Sequence, residues 1–330
     1  MAVLVTGAAG FIGYHVAHAL LARGESVVGI DNLNDYYAPA LKRARLAQLA
    51  GYAGFAFIEA DFADAAALNG ALAPTPLSAI VHLGAQAGVR HSIDAPLAYV
   101  SANLVGHVNI LELARTRGCG HLVYASSSSV YGTNTKLPFS VDDRADAPAS
   151  LYAATKRADE LLSESYAQLY RLPQTGLRFF TVYGPWGRPD MALWRFTEAV
   201  LNGRPLQLYN RGEMQRDFTY IDDIVDGVLR ALDRPPADNG ALHPGGSRAP
   251  HALYNLGNDR PTALRAMLAQ VEAACGRAAI VALLPMQPGD VVATWADIAA
   301  SRRDLGFAPS VGLAEGVPRF IDWYRGYTGV

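Results

Sequence analysis

Lysine is nearly missing from this chain. Of 28 basic residues in 330, only Lys42, Lys136 and Lys156 are lysines, and the rest are arginines. Arginine holds its proton too firmly to share in proton transfer, so a retained lysine points to work that arginine cannot do. Cysteine is scarcer still. Cys119 and Cys275 stand far apart and match no metal or redox spacing, so they are expected as free buried thiols in a reducing cytoplasm. No apolar run approaches the ~20 residues needed to span a bilayer, which excludes a membrane partner. Ala2-Val3-Leu4-Val5 runs straight into a glycine loop, unlike a signal peptide. Positive charge is not in excess, since the formal net charge is −2, and nucleic acid is therefore not expected as a partner. The eight histidines suggest no metal set. His15 and His18 share a helix face without a third ligand nearby and are expected on a solvated surface.

What is present is a nucleotide-binding pattern. An apolar strand, Ala2 to Val5, leads into Thr6-Gly7-Ala8-Ala9-Gly10-Phe11-Ile12-Gly13. A helix through His15, Val16, Leu20 and Leu21 follows and stops at Gly24. A second strand, Ser26 to Ile30, ends in Asp31. This order of strand, glycine loop, helix, strand and acid is the βαβ unit that holds a dinucleotide. Its pyrophosphate rests on the helix N-terminus, where free N–H groups favour anions. Asp31 is placed to accept a bond from an adenosine ribose hydroxyl and to repel a 2′-phosphate, so NAD is expected over NADP. Further strands are predicted at Phe55 to Glu59, Ala79 to Leu83, Leu122 to Ala125 and Thr175 to Phe180, with helices between them, notably Ala102 to Arg117. The fold class is therefore α/β, a doubly wound Rossmann-type parallel sheet. Its ligand edge would carry Asp61, Leu83-Gly84-Ala85, Ser126-Ser127 and Thr181.

One lysine has a partner in the pattern. Ser150-Leu151-Tyr152-Ala153-Ala154-Thr155-Lys156 reads as a helix start capped by Ser150. Tyr152 and Lys156, four apart, share a face. An ammonium beside a phenol favours the phenolate, which makes a base from a normally inert residue.

Together, Thr6-Gly7-x-x-Gly10-x-x-Gly13 and Tyr152-x-x-x-Lys156 resemble the extended short-chain dehydrogenase/reductase superfamily. Within it the chain is similar to the nucleotide-sugar epimerases, and most to the UDP-glucuronate 4-epimerases. The likeness includes Asp31-Asn32-Leu33-Asn34-Asp35-Tyr36-Tyr37, Gly88-Val89-Arg90, Asn103-Leu104-Val105-Gly106 and the serine run Ser126-Ser127-Ser128-Ser129-Val130-Tyr131-Gly132. It continues through Arg178-Phe179-Phe180-Thr181-Val182-Tyr183-Gly184-Pro185-Trp186-Gly187-Arg188-Pro189-Asp190-Met191, Arg216-Asp217-Phe218-Thr219-Tyr220 and Pro288-Gly289-Asp290-Val291.

The resemblance implies NAD as cofactor, held by Gly7, Gly10, Phe11, Ile12, Gly13, Asp31, Asn32, Asp61, Phe62, Leu83, Ala85, Ser126, Tyr152 and Lys156. It implies Tyr152 as base, Lys156 as its partner and Ser127 as the hydroxyl beside it, with Ser128 and Ser129 able to share that role. Arg216 matches the grip on a UDP diphosphate. Asp290 matches the ribose and diphosphate region, Tyr209 a position near uracil, and Asn103 a structural or substrate-side contact. Gly84 stands where alanine is more usual, a change expected to matter little. A homodimer through helices at Ala98 to Arg117 and Ser150 to Tyr170 is implied as well.

Related dehydratases carry an Asp-Glu pair where this chain has Ser128 and Ser129, and related decarboxylases usually carry a glutamate at the position of Ser129. Both eliminations lack their acid here. Epimerisation at C4 through a 4-keto sugar needs none. A glucuronate substrate becomes a β-keto acid, so its carboxylate must be held against loss of CO2. Arg90, Thr181 and Arg188 are the candidates, because arginine binds carboxylate with two parallel bonds. Lys136 either lines the sugar pocket or is a solvated loop residue. The alternatives are a UDP-hexose 4-epimerase, a net oxidoreductase and a non-catalytic nucleotide-sugar sensor.

After Phe180 the βαβ alternation weakens. Helices at Trp194 to Asn202, Thr262 to Cys275 and Leu313 to Tyr324 mix with strands at Pro205 to Leu208 and Leu253 to Leu256. The expected division is residues 1–183 for NAD, with later segments returning to that part, and 184–330 mainly for the UDP-sugar. Arg234 to His251 reads as an inserted surface loop.

Overall fold

The computed structural model describes residues 1–73, 75–286 and 291–330. Its strands are β1 (Ala2–Thr6), β2 (Val27–Asp31), β3 (Phe55–Glu59), β4 (Leu77–His82), β5 (Leu122–Ser127), β6 (Gln174–Phe179), β7 (Thr181–Tyr183), β8 (Pro205–Tyr209), β9 (Gln215–Tyr220), β10 (His251–Leu256), β11 (Pro261–Ala263) and β12 (Ile280–Leu284). A seven-stranded sheet runs in the order β10-β6-β5-β4-β1-β2-β3, and every pairing in it is parallel. Both faces are buried, as the near-continuous apolar strands require. On β1, Val3 and Val5 pack into one core while Ala2 and Leu4 pack into the other. The first core takes in the helices Phe11–Ala22 and Ile221–Leu232, and the second takes in Ala65–Leu72 and Gly106–Thr116. This is the expected doubly wound α/β fold.

From β1 the order runs outward through β2 to β3, then resumes on the other side with β4. The reversal leaves a crevice beyond the carboxyl ends of β1 and β4, where such sheets bind ligands. β10, from late in the chain, pairs with β6 along its whole length. Two small sheets lie outside: β7, β9 and β11 form one, and β8 pairs with β12 in the other.

Predicted elements are present with shifted ends. The helix expected from Ala102 is a π-helical turn, Val100–Val105, running into Gly106–Thr116. The terminal helix is longer than expected, Leu313–Thr328. Residues 235–250 carry no regular element, in keeping with the expected loop. Ser150 caps the helix Leu151–Tyr170 by accepting from the Ala153 N–H at 3.1 Å. His15 is not solvated: it hydrogen-bonds the Pro185 carbonyl at 2.9 Å, and burial pushes it down to about 4. The sequence shows that His15 and His18 share a face but not that the loop at Pro185 covers one of them. Among the described residues no group of three His, Cys, Asp or Glu is placed to hold a metal.

Candidate active site

Two cavities with a common wall occupy the crevice. The smaller, ≈ 420 Å³, is lined by Gly7, Gly10, Phe11, Ile12, Gly13, Asp31, Asn32, Asp61, Phe62, Leu83, Ala85, Ser126, Ser127, Ser128, Ser129, Tyr152 and Lys156. It thus brings together every residue assigned to the cofactor and to the chemistry. The larger, ≈ 830 Å³, is lined by Arg90, Thr181, Arg188, Tyr209 and Arg216. Tyr36, Thr181, Arg188 and Met191 face both. Asp290 lies outside the described residues.

The smaller cavity fits a dinucleotide. Gly7 has φ +67, and a Cβ on Gly13 would stand 2.0 Å from the Gly7 carbonyl oxygen, so the turn closes only on glycine. The helix Phe11–Ala22 presents its N-terminus there with no side-chain cap, leaving its N–H groups for an anion. Asp31 is held by two backbone donors, Ala9 N–H at 3.2 Å and Leu33 N–H at 2.9 Å. Asp61 accepts from Asn32 Nδ2 at 3.1 Å and from the Ala63 N–H at 2.8 Å. Gly84 matters more than its sequence suggests. A Cβ there would stand 2.6 Å from Phe62 Cε1, and one on Gly106 would stand 2.4 Å from Phe62 Cε2. The two glycines make the slot in which the Phe62 ring lies, a pairing that is invisible while they stand 22 residues apart.

Lys156 is buried and donates to the Ala125 carbonyl at 2.9 Å, which ties the helix to β5. Tyr152, one turn earlier, packs edge-on against Tyr99 with ring centroids 6.1 Å apart. Tyr99 in turn donates to the Gly88 carbonyl at 2.6 Å. Ser127 Oγ accepts from the Ser129 N–H at 3.1 Å, which aims the hydroxyl at the end of β5. Ser126 is turned the other way and donates to Glu160 Oε1 at 2.6 Å. Asn103 is structural: it accepts from the Gln86 N–H at 2.8 Å and donates to the Gln86 carbonyl at 3.0 Å and to Thr155 Oγ1 at 2.9 Å.

On the sugar side, Arg188 is gripped by Asp190, with Nε to Oδ1 at 2.9 Å and Nη2 to Oδ2 at 2.5 Å. Its protonated form is strengthened by that pair against the opposing effect of burial. Tyr36 also donates to Asp190, at 3.2 Å. Arg90 lies over the Tyr209 ring, 4.9 Å from its centroid, a contact that holds both at the wall. Arg216 Nη1 donates to the Gln215 carbonyl at 2.8 Å. Lys136 lines neither cavity. It is exposed and paired with Asp143, which answers the open choice in favour of the loop.

The description "NAD dependent epimerase/dehydratase family" matches residues 3–243. The chain belongs to that family. It is 49% identical to a probable UDP-glucuronate 4-epimerase of Rhizobium meliloti strain 1021, over 98% of this chain and 97% of the relative. A solved UDP-glucuronic acid 4-epimerase from Bacillus cereus, in complex with UDP-glucuronic acid and NAD, superposes with a TM-score of 0.88 at 32% identity, covering 99% of this chain and 100% of that one. A UDP-glucose 4-epimerase of Thermus thermophilus, in complex with NAD, superposes at 0.84 and 31% identity, covering 99% of each chain. The likeness to nucleotide-sugar epimerases read from the motifs is borne out.

Some site residues of this epimerase/dehydratase family member escape the motifs. Lys42 is buried at the smaller cavity, 3.8 Å from Asp31 Oδ1, and donates to Asn34 Oδ1 at 2.9 Å. The scarcity of lysine that singles out Lys156 applies to Lys42 as well. Arg45 is fully buried. It donates to the Ala9 carbonyl at 2.9 Å in the glycine loop, and to the carbonyls of Trp186 at 2.6 Å and Gly187 at 3.2 Å in the loop that carries Arg188. It also donates to the Tyr37 hydroxyl at 2.7 Å, and nothing in the sequence marks Arg45, because most of its partners are backbone carbonyls of distant loops.

Proposed function

We propose that this chain is an NAD-dependent UDP-glucuronate 4-epimerase, interconverting UDP-glucuronate and UDP-galacturonate. One observation carries the reading: the Tyr152–Lys156 pair of the dinucleotide cavity and the arginine Arg188 stand at the walls of adjoining cavities, so a base and a carboxylate anchor serve one bound sugar. The glycine loop, Asp31 and Asp61 hold the cofactor. NAD held there would supply a reversible hydride acceptor for sugar C4, open to either face of the keto sugar. Tyr152, as phenolate, removes the O4 proton and later restores it. Lys156 stabilises that phenolate by charge, and Ser127 hydrogen-bonds O4, with Ser128 and Ser129 close enough to share the relay. Arg216 grips the diphosphate and Tyr209 lies beside the base, so the UDP stays anchored while the sugar turns over.

Arg188, Arg90 and Thr181 hold the carboxylate away from the perpendicular orientation in which a β-keto acid loses CO2. Arg188 already carries Asp190 on one edge of its fork, so the substrate shares or replaces that carboxylate.

Residues 1–183 form the cofactor part, whose sheet β10 returns to join, and 184–330 mainly bind the UDP-sugar. The protein acts as a homodimer in the cytoplasm. Val105, Leu161 and Leu169 support the dimer, since they lie 49%, 56% and 68% exposed on the two helical segments expected at the interface. The two free thiols support a reducing compartment. Sedimentation of the wild type and of Leu161→Glu tests the dimer: a monomeric wild type removes it.

The function itself is tested by incubating the purified protein with UDP-glucuronate, without added NAD, and following the sugar protons by NMR. UDP-galacturonate at a stable ratio, without UDP-xylose, is expected. No conversion even with NAD added overturns the reading and directs the next assay to UDP-glucose.

A further inference from the structure

Two carboxylates sit side by side on the helix Leu151–Tyr170, each 1% exposed, and the structure treats them oppositely. Glu160 is saturated. It accepts from Ser126 Oγ at 2.6 Å, from Arg178 Nε and Nη2 at 2.8 and 2.9 Å, and from Arg157 Nη1 at 2.7 Å. Among the described residues the Asp159 carboxylate has a single hydrogen-bond partner, Lys156 Nζ, 3.1 Å from Oδ2. Its Oδ1 is buried with no hydrogen-bond partner among the described residues. Asp159 follows Lys156 by three positions and Tyr152 by seven, so all three lie along one helix face. The ammonium proposed to stabilise the Tyr152 phenolate therefore has a buried anion on its far side.

We infer that Asp159 is a positioning residue of this reaction: it fixes the Lys156 ammonium against β5 and, by holding or losing its charge, sets how much of the ammonium's field reaches Tyr152. The inference rests on the reading of Tyr152 as the base.

The groups facing this pair leave Asp159 as the member that changes charge. His82 on β4 and His107 on the helix Gly106–Thr116 are kept neutral by burial, His107 at about 3. Tyr124 on β5 keeps its proton because burial raises it well above the ordinary range. His251 on β10 is bonded to Tyr124 at 2.8 Å. Glu160 is pushed up by burial but held below the usual carboxylate range by Arg178 on β6. Asp159 is pushed up to about 6 by burial, against the pull of Lys156. Two sites that share one counter-charge titrate as a pair. As the pH falls, protonation of Asp159 frees the ammonium's charge for the phenolate and delays its protonation.

The test measures kcat and kcat/KM against pH for the wild type, Asp159→Asn and Asp159→Glu. Tyrosinate absorbance is recorded alongside, with the Tyr152→Phe form of each protein subtracted. In the wild type the acid limb is expected to be broader than a one-proton curve. In Asp159→Asn it narrows to one proton and moves to lower pH by about one unit, on the order of tenfold in rate on the limb. The Tyr152 tyrosinate signal moves with it, and Asp159→Glu restores the broad limb. A one-proton wild-type limb, or an Asp159→Asn profile that overlays the wild type or moves upward, overturns the inference. The wild-type shape decides even where Asp159→Asn does not fold. Absence of wild-type turnover refutes the proposed function instead, so the two failures are distinct.

Discussion

The smaller cavity includes the glycine turn from Gly7 to Gly13 and residues at the ends of β2, β4 and β5, whereas the larger includes the guanidinium groups of Arg90, Arg188 and Arg216. The first recognises shape and anionic charge through glycine geometry and N–H groups. The second offers guanidinium groups and a threonine, which in the proposed function meet the sugar's carboxylate and the diphosphate. The turn glycines tolerate almost no change, while the arginines can be retuned one residue at a time. Arg45 joins the two: one guanidinium bonds the glycine loop on one side and the Arg188 loop on the other.

The strongest way to sharpen the contrast is at the seam. Tyr152→Phe should lower kcat by about three orders of magnitude while leaving bound NAD and thermal stability unchanged, measured by cofactor release on denaturation and by melting. Next is Gly13→Ala. Its methyl would collide with the Gly7 carbonyl at 2.0 Å, with overpacking of about 1–3 kcal/mol. Loss of copurified NAD is expected, and retention of NAD would break the account of the glycine turn. Arg188→Ala should raise KM for UDP-glucuronate by roughly 10- to 100-fold, the loss of a charge-assisted bond of about 1.5–3 kcal/mol, and should release UDP-xylose. NAD content should not change.

The smallest effect concerns stability. Asp159 has a folded value of about 6 against an ordinary 3.8. Between these the folded chain holds a proton that the unfolded chain has released, so stability falls as the pH rises through the window. Asparagine has no such loss. The melting temperature of Asp159→Asn relative to the wild type should therefore climb, by on the order of a few degrees, from the bottom of that window to the top. A flat difference would show that Asp159 is not buried as described.

The same contrast explains what could be read from the chain beforehand. Gly7, Gly10, Gly13 and Asp31 stand close together, and turn geometry allows few other residues there, so the first cavity is legible as a pattern. Tyr152 and Lys156 are legible because helix periodicity places them on one face. The side chains of the sugar cavity come from separate stretches of chain, and Arg90, Arg188 and Arg216 are reached only through resemblance, since a local partner such as Asp190 beside Arg188 does not show which stretches share a cavity. Arg45 and the slot of Gly84 and Gly106 around Phe62 depend on contacts that only the folded chain creates. Asp159 was hidden differently: its neighbour Glu160 has the same chemistry in sequence, and only the count of donors around each tells them apart.

β10 has a consequence for how the molecule comes into being. This strand, buried at all six positions, closes the edge of the large sheet, yet it leaves the ribosome after Arg188, Tyr209 and Arg216. The cofactor's platform is therefore not finished before the sugar's anchors are made. Synthesis that stops at residue 183 would leave β6 as a raw edge of fully buried residues, a template for aggregation.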